Sequence, residues 1–130
     1  MHVTHLHLIM RLKMLKKVSQ IQAAIQCAKL AVEPYQNSES PRFIAGDIGP
    51  ITYNHNDMQK QVSDEYVVIA KTMIESGVDA IVFETFPDMD DIKEALKYIA
   101  ENGLNVSQAE QYIEKKMQLH PTPGKRLFIV

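Results

Sequence analysis

Two short apolar runs, each stopped by an acid and a turn and joined by a single amphipathic stretch, limit this chain to very few folds. The first is Arg42-Phe-Ile-Ala-Gly-Asp-Ile-Gly-Pro50, and the second is Val78-Asp-Ala-Ile-Val-Phe83, followed by Glu84-Thr-Phe-Pro87. Runs this short and this apolar, ended by Gly or Pro, predict strands buried inside a sheet. Between them Val62, Tyr66, Ile69, Ala70, Met73 and Ile74 recur at helical spacing, and Gly77 stands where a helix C-terminal glycine belongs. Strand, amphipathic helix and strand in that order predict a parallel pair joined by a right-handed crossover. The fold class expected is therefore α/β, with parallel strands covered by amphipathic helices.

Further helices flank this unit. No Gly or Pro precedes Pro34, and Met14, Leu15, Val18, Ile21, Ala24, Ile25, Ala28, Ala31 and Val32 form one stripe, predicting a helix over 13–33. Residues 1–12 are too dense in His and Leu to assign. Glu33-Pro34 and the polar cluster after it predict a break and a loop. Past the second strand, Asp88 is a candidate cap, with Asp90 and Asp91 in the first turn of a helix striped by Ile92, Ala95, Leu96 and Ile99 and closed by Gly103. Ser107-Gln-Ala-Glu110 fits a capping box and predicts a fourth helix at 107–118. A turn at Pro121-Thr-Pro-Gly124 precedes a terminal run, Leu127-Phe-Ile-Val130, that suits a strand.

At 130 residues the chain is one domain's worth. Fourteen Lys and Arg against sixteen Asp and Glu leave a net charge of −2, too little basic field for nucleic acid as a partner. The charge is uneven: residues 1–32 carry five bases and no acid, so every acid lies in 33–130. No apolar run is long enough to cross a bilayer, so no membrane partner and a cytoplasmic location are expected. The single cysteine, Cys27, excludes an internal disulfide framework and a zinc site built mainly of cysteines.

In parallel α/β folds ligands bind at the carboxyl ends of strands. Asp47 and Glu84 both fall there. Carboxylates on neighbouring strands repel one another unless a metal, a basic side chain or a ligand's ammonium group stands near. The alternative is that each merely caps a loop amide or the next helix. Gly46 and Gly49 bracket Asp47 and would let a ligand approach the backbone. His55 lies in the same region and suits either a general acid–base role or a solvated loop. His2, His5 and His7 read as a frayed terminus rather than a metal tract, and Cys27 as a small buried apolar residue. No Gly-rich phosphate loop, nucleophile elbow or HExxH is present.

These segments also resemble one family. Arg42 to Pro50 is similar to the R-F-V-A-G-S-I-G-P strand and loop of homocysteine S-methyltransferases, a group that includes the homocysteine-binding module of cobalamin-dependent methionine synthase. Ile74-Glu-Ser-Gly-Val-Asp-Ala-Ile-Val-Phe-Glu-Thr-Phe-Pro-Asp88 is similar to that family's L-I-E-G-G-V-D-L-I-L-I-E-T segment, and Arg11–Leu15 with 25–31 to the helix after its second strand. The likeness covers about residues 11–99, with 1–10 and 102–130 as diverged ends of a single incomplete domain. It implies a partial (β/α)₈ barrel, roughly its third and fourth strands, and methyl transfer to the thiol of homocysteine, giving methionine. It implies that Glu84 holds the substrate's amino group and that Asp47, Gly49 and Thr85 line the same pocket. Family members also use a zinc held by three cysteine thiolates, and a methyl donor such as methyl-cobalamin with methyltetrahydrofolate, or S-methylmethionine. A complete barrel takes about 250 residues. The family's opening glycine-rich strand, its Thr-Asn-Thr-Phe strand end and its zinc cysteines are missing here. The chain is thus expected to bind no zinc, to be inactive alone and to self-associate through exposed strand edges. The alternative is a self-contained small α/β binding or interaction module without catalysis.

Overall fold

The computed structural model describes residues 2–53, 55–86, 89–102 and 127–129. In chain order these form helix α1 (His2–Val32), a 3₁₀ turn (Glu33–Tyr35), strand β1 (Ala45–Ile48), helix α2 (His55–Glu75), strand β2 (Ala80–Glu84), helix α3 (Lys93–Asn102) and strand β3 (Leu127–Ile129). The alternation read from the sequence is present. The predicted fourth helix, the Asp88 cap and Gly103 lie outside the described residues.

α1 is longer than its apolar stripe predicts, because nothing in the first 33 residues breaks a helix. It ends as Pro34 enters the 3₁₀ turn, whose last amide bond runs from the Gln36 N–H to the Glu33 carbonyl. Gln36 then closes the following loop at two points: its amide donates to the Arg42 carbonyl at 2.6 Å and its side-chain oxygen accepts from the Arg42 N–H at 3.0 Å.

The end of α2 follows from Gly77. At φ +82° the N–H of Gly77 reaches the Ile74 carbonyl (3.0 Å) and that of Val78 reaches the Met73 carbonyl (3.3 Å). This is the Schellman pattern, which satisfies last-turn carbonyls and needs a residue free to take positive φ. Asp79 next fixes the sheet register. Its carboxylate accepts the Ile44 N–H at 2.8 Å and its own N–H donates to the Ile44 carbonyl at 2.8 Å.

β1 and β2 pair in parallel, Ala45 opposite Ala80, Asp47 opposite Val82 and Ile48 opposite Phe83. β3 joins the other side of β2 and runs antiparallel, with Leu127 opposite Glu84 and Ile129 opposite Val82. The sheet is thus not wholly parallel as expected. The β1–β2 direction is dictated by a one-helix crossover, whereas the direction of β3 depends on the long path from 102 to 127, which a short apolar run does not encode.

The core lies on one face of the β1–β2 pair. Ile48 and Phe83 pack there, with Ile81, against Val62, Tyr66, Ile69, Ala70 and Met73 of α2 and Ala95 and Ile99 of α3. α1 packs beside α2, through Ile21 and Ile25 and through ion pairing of Lys17 with Glu65. Lys29 donates to the Ser76 carbonyl at the end of α2, where a cation meets the negative pole of the helix. Part of the α1 stripe is nevertheless uncovered, Leu15 (64% exposed), Ala24 and Ala31 among it, and Leu30, outside the stripe, is 59% exposed. Cys27 is exposed too, contrary to the expected buried position, because it lies on the far side of α1 from Ile21, Ile25 and Ala28. Asp90 and Asp91 precede α3 rather than forming its first turn, where the acid is Glu94. Among the described residues no helix is long and apolar enough to cross a membrane.

Candidate functional site

Strand alternation separates the residues that pack from those that face outward. Gly46 and Ile48 of β1 are buried while Ala45 and Asp47 are exposed, and in β2 Ile81 and Phe83 are fully buried while Val82 and Glu84 are half-buried. Since Asp47 stands opposite Val82, Asp47 and Glu84 project from the same face, one same-face step apart along β2. Strand spacing and rise put their Cα atoms about 8 Å apart. Both sit at the carboxyl ends of their strands, on the side away from α2 and α3.

Among the described residues Asp47 and Glu84 make no ion pair and no side-chain hydrogen bond. Their neighbours show what a structural acid looks like here: Asp79 binds the Ile44 N–H, and Asp91 accepts a hydrogen bond from the Tyr53 hydroxyl. Among the described residues neither Asp47 nor Glu84 caps a loop amide or a helix.

Thr85, the residue after Glu84, has φ +62° and is exposed. It is the only non-glycine residue with positive φ among those described. A β-branched side chain in the left-handed region costs about 1–3 kcal/mol, and such strain concentrates at binding and catalytic loops. The chain therefore turns sharply as Glu84 emerges from β2.

The two glycines differ. A Cβ on Gly46 would lie 2.5 Å from Met73 Sδ, so its missing side chain makes room for α2 and not for a ligand, as its position on the buried face requires. A Cβ on Gly49 would meet nothing within 4 Å, so no protein atom demands glycine there. His55 is the first residue of α2. Among the described residues no group of three or more His, Cys, Asp or Glu is placed to hold a metal ion.

Sequence reasoning passed over Tyr66, which it counted as one apolar member of the α2 stripe. Its ring is fully buried and meets Phe86 edge-on with centroids 5.5 Å apart, and Phe86 meets Phe83 likewise at 6.0 Å. Its hydroxyl accepts from the Ile51 N–H at 2.6 Å and donates to the Gly49 carbonyl at 3.4 Å. Burial and the negative charge of Asp91 push its pKa upward, against the opposing effect of the Ile51 N–H. The only signal in the sequence was a tyrosine where the stripe called for an aliphatic residue.

Comparison with known proteins adds one finding. A family model described as homocysteine S-methyltransferase matches residues 6–120, beyond both ends of the 11–99 that carry the motifs. No curated protein and no solved structure matches the chain.

Proposed function

Because this chain belongs to the homocysteine S-methyltransferase family, we propose that the open face at the carboxyl ends of β1 and β2 binds the amino-acid end of homocysteine. Glu84 takes the substrate ammonium group, Asp47 adds a second negative charge to the same face, and Gly49 and Thr85 line the approach. The observation that carries this reading is the register of β1 on β2, which aims at one open face two carboxylates with no partner among the described residues. A primary ammonium offers three donors and one positive charge, so it relieves the repulsion between the two acids while hydrogen-bonding either. The reaction served is formation of a bond between the homocysteine sulfur and a methyl carbon, with loss of the thiol proton and of the donor's bond to that methyl. These residues would contribute to it by binding and orienting the nucleophile.

The same reading makes β1-α2-β2-α3 a segment of a (β/α)₈ barrel. In support, α2 and α3 both lie on one face of the parallel pair, as a barrel's outer helices do, and the opposite face carries the ligand residues. The family's zinc does not fit the residues present. A three-thiolate set needs three cysteines, and the one in this chain is exposed on α1.

The test is calorimetric titration of the chain with L-homocysteine and with 4-mercaptobutyrate, which keeps the thiol and carboxylate but lacks the amino group. A charge-assisted hydrogen bond is worth about 1.5–3 kcal/mol, and partial exposure of Glu84 puts it at the low end, so Glu84→Gln should weaken L-homocysteine about ten-fold. It should leave 4-mercaptobutyrate unaffected. Equal loss for both ligands, or for neither, would remove Glu84 from the amino-group site.

A further inference from the structure

We infer that Tyr66 is a positioning residue for this site, tying the loop after β1 to the loop after β2 so that Asp47 and Glu84 are presented together. The inference rests on the substrate-binding reading of that face, and it adds a residue on the opposite, buried side of the sheet.

Between β1 and α2 the chain runs through Gly49, Pro50 and Ile51, none of which belongs to a helix or strand. A segment with no secondary structure needs partners for its backbone groups, and the Tyr66 hydroxyl supplies them for two. It accepts from the Ile51 N–H (2.6 Å) and donates to the Gly49 carbonyl (3.4 Å), so one oxygen spans the turn on both sides of Pro50. The ring that carries this hydroxyl is fully buried and packs edge-on against Phe86, two residues past Glu84. Phe86 is itself held by Phe83, the neighbour of Glu84 within β2. One rigid side chain thus meets the first loop with its polar tip and the second with its ring. A second link runs the same way: Tyr53, just beyond Ile51, donates from its hydroxyl to Asp91 ahead of α3.

The geometry suits tyrosine and no other residue. Phenylalanine would fill the same space but leave the Ile51 N–H without its acceptor, and a shorter polar side chain would not reach from α2 while filling the core. Sites held to within about half an ångström need their loops fixed by groups that do not touch the ligand. Tyr66, whose hydroxyl and ring contacts all lie within the protein, fits that description.

The experiment compares wild type, Tyr66→Phe and Tyr53→Phe in the full chain by L-homocysteine titration at a temperature well below unfolding. Amide hydrogen exchange is followed in parallel. Loss of one neutral hydrogen bond predicts L-homocysteine binding about three- to ten-fold weaker in Tyr66→Phe. Exchange at Ile51 should be about ten-fold faster or more, while Ala95 and Ile99 of α3 stay protected. Tyr53→Phe, at a half-buried position that tolerates the change, should weaken binding in the same direction by less. A merely structural tyrosine would lower the melting temperature without changing affinity. Wild-type affinity in both folded variants would therefore overturn the inference and leave the substrate reading standing. Failure of the wild-type chain itself to bind L-homocysteine would overturn the substrate reading and the role of Tyr66 together, and is seen before any substitution is made.

Discussion

Gly46→Ala should destabilise the chain, although replacing a strand glycine by alanine ordinarily does the reverse. Removing glycine from a strand interior stabilises by about 0.5–1 kcal/mol, because the unfolded chain loses freedom. Here the added methyl carbon would stand 2.5 Å from Met73 Sδ, and 3.3 Å from both Cγ and Cε of the same side chain. Non-bonded carbon contacts settle near 3.5–4.0 Å, so Met73 must withdraw by about an ångström. Met73 is only 7% exposed and sits in the core cluster, which leaves it little room to move. Overpacking of this kind costs about 1–3 kcal/mol. Set against the entropic gain of about 0.5–1 kcal/mol, the net destabilisation should reach up to about 2.5 kcal/mol. Urea denaturation reads it as a lower midpoint at unchanged slope. The stronger test adds Met73→Ala. Alone it should cost about 2–5 kcal/mol, and combined with Gly46→Ala it should cost less than the sum, with a coupling of about 0.5–3 kcal/mol. Stabilisation by Gly46→Ala, or strict additivity of the pair, would show that β1 and α2 do not meet as described and that Gly46 is free for the ligand-facing role the sequence suggested.

Thr85→Gly should raise stability by up to about 2.5 kcal/mol, since relief of about 1–3 kcal/mol at positive φ outweighs the roughly 0.5–1 kcal/mol of added freedom of glycine in the unfolded chain; a lower melting temperature would contradict the strained turn. Stability should fall as pH rises beyond about 10. The folded pKa of Tyr66 is raised above its unfolded value, so its contribution is complete below the unfolded pKa and is lost as pH climbs through the folded one; denaturation midpoints between about pH 8 and 11.5 should show this slope in wild type and a shallower one in Tyr66→Phe. The chain should also self-associate, because Leu15 and Leu30 are exposed on α1 and, among the described residues, the outer edge of β1 is unpaired. Size-exclusion chromatography should show a species larger than a monomer that Leu15→Lys with Leu30→Lys reduces, and a monomeric wild type would contradict it.

The order of elements, the parallel β1–β2 pair, the glycine that ends α2 and the family itself were all legible in the sequence. Each is written in neighbouring residues: short apolar runs, a 3.6-residue stripe, a glycine past its end and two contiguous motifs. The same local information placed Asp47 and Glu84 at strand ends. What covers each face, and what each side chain meets, was not legible. Cys27 was expected to be buried because a free cysteine behaves as a small apolar residue, yet only a narrow part of α1 finds α2 and Cys27 is not on it. Gly46 looked like a place for a ligand, and folding turned it toward Met73. Tyr66 looked like one more apolar stripe residue, and only the arrival of Gly49, Ile51 and Phe86 around it gave its hydroxyl and ring their work. β3 was expected from its composition, but its antiparallel course is decided by a path through space. Periodicity tells a residue which way it points along its own element; the partner waiting there comes from distant parts of the chain, and that pairing exists only once the chain has folded.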